Sequence, residues 1–166
     1  MNTNHLSDMP DWDDNHPLFR DHSEEAWKPN ATRDACKELY KQWQQVMFLL
    51  KGILLPILEK PEDSIEAAMD IDMARELHGD AYIVGVKICS SEAGNTYVLR
   101  MENAAIIRKL AQGIATGLLG FELADSAEES YINVVRDEIE KFRSLFKVWV
   151  DSFEKDDYTD EWGLFC

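Results

Sequence analysis

The stretch from Ser126 to Phe153 constrains the fold more than any other part of this chain. Its apolar residues Ile132, Val135, Ile139, Phe142, Phe146, Trp149 and Phe153 are separated by alternating steps of three and four. That spacing holds one stripe of an α-helix against a neighbour; a strand, with its period of two, would split the same residues between two faces. The large rings on the stripe need cover from other helices. The spacing therefore predicts that Ile139, Phe142, Phe146 and Trp149 are nearly fully buried. Phe146→Ala should then cost about 3–5 kcal/mol.

Three further stripes of helical period precede this one. The first passes through Cys36, Leu39, Tyr40, Trp43, Val46, Met47, Leu50, Ile53, Leu54 and Ile57, with Asn30 or Thr32 as its cap and an end near Glu59. Pro56 lies inside it, so a kink is expected around Gly52 and Pro56. Pro61 is read as opening the second helix, with Glu62, Asp63 and Glu66 suited to its positive end. That helix continues along Ile65, Met69, Met73, Leu77, Val84 and Ile88 to about Ser91. The third spans about Thr96 to Ala124, burying Ile107, Ala111, Ile114 and Leu118. Gly113, Gly117 and Gly120 weaken it but permit a close neighbour. Ser126 with Glu129 has the form of a capping box and is read as starting the fourth helix. Helices joined by such short turns pack as sequence neighbours. The expected fold is all-α, an antiparallel up-and-down four-helix bundle over residues 31–153. An irregular acidic arm, 1–30, precedes it, and an acidic, aromatic tail, 154–166, packs on the bundle or extends from it.

Charge narrows the function classes. The formal net charge is −15 over 166 residues. The arm has seven acids against two bases and residues 151–166 have six against one, so both ends are acidic while the middle is nearly balanced. Nucleic acid and anionic membranes are excluded as expected partners, because both need clustered Lys and Arg. A basic protein partner fits. The first residues carry no cationic start or apolar run, so no signal peptide is expected. Three cysteines without a CxxC spacing predict free thiols in a reducing compartment, and hence a cytoplasmic protein.

Several groups invite a chemical reading. Asp72, Glu76 and Asp80 recur every four residues on one face of the second helix, beside its apolar stripe, and are the candidate metal ligands. Set against a metal is simple pairing with cations at the flank of the bundle. Asp80 is expected to pair with Arg108, which lies level with it across the hairpin, and to have a lowered pKa. Arg100 and Asn103 lie on the buried line of the third helix and, with Arg108, form a candidate polar cluster for an anionic ligand or a structural role. His16 and His22, near Asp13, Asp14 and Asp21, match no ligand spacing. Asp156 to Asp160 reads as DDxxD, a diphosphate-binding pattern that belongs on a helix rather than in a polar tail. Cys36 reads as core, Cys89 has no histidine nearby, and Cys166 is the last residue. No Glu-x-x-His pair and no Arg-x(4–6)-His spacing occurs. No catalytic residue or cofactor is therefore expected.

The runs Tyr97 to Lys109, Glu138 to Val150 and Asp160 to Phe165 resemble an uncharacterised bacterial family of small helical proteins. The resemblance covers the chain from Tyr97 onward. It implies a bacterial cytoplasmic protein and brings no activity with it. It marks Arg100, Glu102, Asn103, Arg108 and the Trp-Gly-Leu-Phe tail. The function expected from all of this is that of a non-enzymatic interaction or accessory protein, monomeric or homodimeric, binding a basic protein. The alternative is a Mg²⁺-dependent hydrolase built on the carboxylates of the second helix.

Overall fold

The computed structural model describes residues 9–15 and 29–165. It holds four helices, α1 (Ala31–Leu58), α2 (Ile65–Ser90), α3 (Tyr97–Leu123) and α4 (Glu129–Asp151), and no strand among the described residues. Each helix packs on its sequence neighbours, and α4 closes the ring against α1. The closest approaches are α2 on α3 and α4 on α1; the α3–α4 side is the loosest. This is the expected antiparallel up-and-down bundle. His16, His22, Asp21, Leu18, Phe19, Trp27 and Cys166 lie outside the described residues.

The helix ends show which local signals hold. Asn30 caps α1, its side chain accepting from the Arg33 N–H at 2.9 Å. The helix runs on through Pro56 to Leu58. Pro61 does not open α2. Ser64 does, accepting from the Ala67 N–H at 3.0 Å, while Glu62 reaches forward to Arg75 at 3.2 Å. Ser126 does not start α4 either. The backbone N–H of Ser126 bonds back to the carbonyl of Phe121 at 2.9 Å, and Asp125 takes φ +54°. That left-handed residue followed by a return bond ends α3 in a Schellman turn. Ser126 is thus committed to the helix before it, and its hydroxyl donates to Asp70. The cap position of α4 falls to Glu128, two residues later.

Two different seams hold the bundle. Between α1 and α4 the contact is aromatic, with the Trp43 and Phe142 ring centroids 4.7 Å apart. From Phe142 the rings continue through Phe146, Trp149 and Phe153. Trp149 and Phe142 are buried, as is Ile139, but Phe146 is only half-buried, packing edge-on against Trp149 at 5.8 Å. Part of its ring stays in solvent, so truncating it costs less than full burial would imply. Between α2 and α3 small residues do the work. A methyl group added to Gly117 would lie 2.7 Å from Leu77, and one on Gly120 would lie 3.1 Å from Met73. Those two glycines let α2 side chains rest directly on the α3 backbone, whereas Gly113 faces open space.

Candidate functional site

The described part of the arm lies across α1 and α2. The Tyr40 hydroxyl donates to the Pro10 carbonyl at 2.6 Å, the Gln44 amide donates to the same oxygen at 3.3 Å, and Lys37 pairs with Asp14. Met9 rests on the bare backbone of Gly85, where an added methyl would overlap its sulfur and terminal carbon. The arm so placed roofs a cavity of about 500 Å³. Its walls are Met9, Pro10, Asp11, Trp12 and Asp13 from the arm, Tyr40 from α1, and Tyr82, Gly85, Val86, Cys89 and Ser90 from α2. Burial pushes the Cys89 thiol up to about 11, so it stays protonated at neutral pH and is no nucleophile. The Tyr40 phenol is raised by burial and further by Cys89, Asp11 and Tyr82. Lys37, hydrogen-bonded to Asp14, holds that carboxyl below its usual range.

Behind the cavity, at the α2–α3 turn, sits a buried polar knot. Glu92 and Arg100 form an ion pair at 3.0 Å, with side chains 0 % and 8 % exposed. Arg100 also donates to the Asn95 side-chain oxygen at 2.7 Å, and Asn103 donates to the Ser90 hydroxyl at 3.4 Å. Oε1 of Glu92 and Nε of Arg100 find no hydrogen-bond partner among the described residues. A buried pair so placed fixes the turn's geometry rather than adding much net stability. Arg100 and Asn103 are thus both bonded within the fold, to Glu92, Asn95 and Ser90. The sequence reading missed Glu92, because a glutamate two residues before Gly94 looks like any solvated turn residue.

Arg108 does not join them; it is exposed. Nor does it pair with Asp80. The contacts across the hairpin follow a different register from the one expected, Leu77 meeting Gly117 and Met73 meeting Gly120, so Asp80 does not lie level with Arg108. The cation that reaches Asp80 is Lys109, and only weakly. Asp80 is accordingly raised, by partial burial and then by the charge of Glu76, where a lowered value was expected. Asp72 meets Arg75 at 2.9 Å, one turn away on its own helix. Asp72, Glu76 and Asp80 do not assemble into a metal site: no group of three His, Cys, Asp or Glu among the described residues could hold a metal ion.

The tail has two parts. The first is tied down. The Thr32 hydroxyl donates to the Ser152 carbonyl at 2.8 Å, and Phe153 packs edge-on against Trp149 at 4.7 Å. Asp156 accepts from the Tyr97 N–H at 2.8 Å, supplying the cap that Thr96 does not give α3. Lys155 lies 5.7 Å over the Tyr97 ring. The first acid of the DDxxD pattern is therefore a helix cap. The second part is a preformed turn. The Asp160 carboxylate accepts from the Trp162 and Leu164 N–H groups at 3.1 and 2.9 Å, and the Asp160 carbonyl accepts from Gly163 at 3.0 Å. Gly163 supplies the φ of +72° that the turn requires. Trp162 stands 88 % exposed on it.

No family model, curated protein or solved structure matches the chain. Among the described residues no helix is long and apolar enough to cross a membrane. The arrangement can bind and present; none of the described groups is an activated nucleophile with an oriented base.

Proposed function

We propose that this chain is a non-enzymatic interaction protein of a bacterial cytoplasm that binds a basic protein partner through its C-terminal tail. The observation that carries the reading is the Asp160 turn. A chain segment that hydrogen-bonds itself into one conformation while leaving its tryptophan in water has a lower ordering cost on binding. Tryptophan is also among the residues that most often anchor an interface. The acids around it, Asp156, Asp157, Asp160 and Glu161, select a basic surface and speed its approach. The free thiols Cys36, buried, and Cys89, half-buried, suit a reducing compartment.

The test is capture from the native host's extract by the intact chain and by its Trp162→Ala variant. The expected result is a basic protein retained by the first, lost by the second, and released by moderate salt. Equal capture by both would move the interface elsewhere, and salt-independent capture would remove the electrostatic part of the argument.

A further inference from the structure

The arm-roofed cavity is separate from the tail and has a chemistry of its own. Its volume of about 500 Å³ lies in the range of small-molecule pockets. Three aromatic side chains line it, each from a different segment: Trp12 from the arm, Tyr40 from α1 and Tyr82 from α2. The Trp12 and Tyr40 rings sit 5.7 Å apart at 59°, so they form adjoining walls rather than a stack. Asp11 and Asp13 are also among the lining residues, and the lining contains no lysine or arginine. Lys37 is spent on Asp14, and Asp11 makes no ion pair among the described residues. The remaining walls are the apolar Met9, Pro10, Gly85 and Val86, with Cys89 and Ser90 neutral.

From this we infer that the cavity is a receptor for an organic ammonium ion carrying apolar substituents. Aromatic faces present negative potential, and an adjoining carboxylate deepens it, so an alkylated cation is attracted where an anion is repelled. A strongly hydrated inorganic cation would need several oxygen ligands, and these walls are mostly carbon. The substituents account for the space that a bare ammonium group would leave unfilled. Such a cation arrives either as a free small molecule or as a methylated lysine side chain on a protein. The inference does not rest on the tail.

The experiment is calorimetric titration of the intact chain with benzyltrimethylammonium and with neopentylbenzene, its uncharged isostere. Saturable binding of the cation, at least about tenfold tighter than the isostere, is expected. Asp11→Asn keeps the arm's apolar contacts and should weaken the cation about tenfold without moving the thermal midpoint. Trp12→Leu removes a wall and should weaken it similarly. A trimethyllysine peptide, with its unmethylated form as control, separates the two sources: tighter binding than the free probe assigns the site to a protein side chain, and weaker binding assigns it to a free amine. Equal affinity for cation and isostere, no binding of either, or full affinity in Asp11→Asn would overturn the inference.

Discussion

The arm and the tail are alike in composition and opposite in structure. Both are acidic, irregular and carry a tryptophan. The arm lays Trp12 on Tyr40, hands the Pro10 carbonyl to the Tyr40 hydroxyl and rests Met9 on Gly85. The tail folds on itself through Asp160 and holds Trp162 in water. What separates them is where their hydrogen bonds go. The arm has local bonds, from Trp12 to Asp14 and from the Asn15 N–H to Asp13, but its Pro10 and Asp14 also accept from α1, so its aromatic becomes a wall. The bonds to Asp160 in the tail's last turn stay local, so its aromatic becomes a handle. Both border one place, the α2–α3 turn. Ser90 lines the arm's cavity, and Tyr97 takes the tail's Asp156 as its cap.

The largest expected effect comes from breaking the turn that both border. Arg100→Met leaves Glu92 buried without its charge partner and should cost about 3–5 kcal/mol in urea unfolding. It should also loosen both segments together, read as faster proteolysis in each. The double variant Glu92→Gln, Arg100→Met should recover a large part of the loss. If the single change costs under about 1 kcal/mol, the buried pair does not hold the turn.

Smaller changes should part the two segments. Asp156→Ala removes the cap of α3 and should cost about 1 kcal/mol, freeing the tail while leaving the arm in place. Tyr40→Phe removes the hydroxyl that donates to Pro10 and also bonds Cys89, should cost about 1 kcal/mol, and loosens the arm. Cys89 reports which has happened. The folded thiol keeps its proton to about 11, against an ordinary 9.0. Folded protein therefore binds a proton that unfolded chain loses. This contribution is whole below pH 9 and lost as pH rises through the folded value. Alkylation at pH 10 should be slow in the parent and in Asp156→Ala, and faster in Tyr40→Phe. Equal rates in all three would show that the arm does not shield the thiol.

The smallest effect belongs to a control outside both segments. Asp80 is raised by burial and by Glu76, so its charged form is disfavoured in the fold. The penalty is present above the folded pKa and relieved as pH falls through it. Asp80→Asn should then be neutral or stabilising at pH 7, within about 0.5 kcal/mol, and the difference should fade in acid. Clear destabilisation at pH 7 would restore a favourable partner for Asp80.

The bundle was legible because its stripes are long and regular: α1 and α4 follow the predicted residues closely. What failed was local or required three dimensions. Ser126 and Glu129 have the right spacing for a capping box, yet Ser126 was already used to close α3. Phe146 has the right heptad position, but position does not reveal that part of its ring stays in solvent. The pairing of Asp80 with Arg108 assumed that the two are level, whereas the α2–α3 contacts, Leu77 with Gly117 and Met73 with Gly120, follow another register. The cavity was not legible at all, since Trp12, Tyr40 and Tyr82 come from three segments with no common motif. Asp156 capping Tyr97 joins positions far apart in the chain, beyond any local pattern. The exposed turn at the C-terminal end was visible only as a run of residues to watch.

The contrast between wall and handle is tested most directly by photocross-linking in the cells that make the protein. A photoreactive amino acid is placed at Trp162 in one variant and at the exposed arm position Asn15 in another. The account predicts an adduct with a basic protein from position 162. An adduct from Asn15 alone, or none from either position, would contradict it.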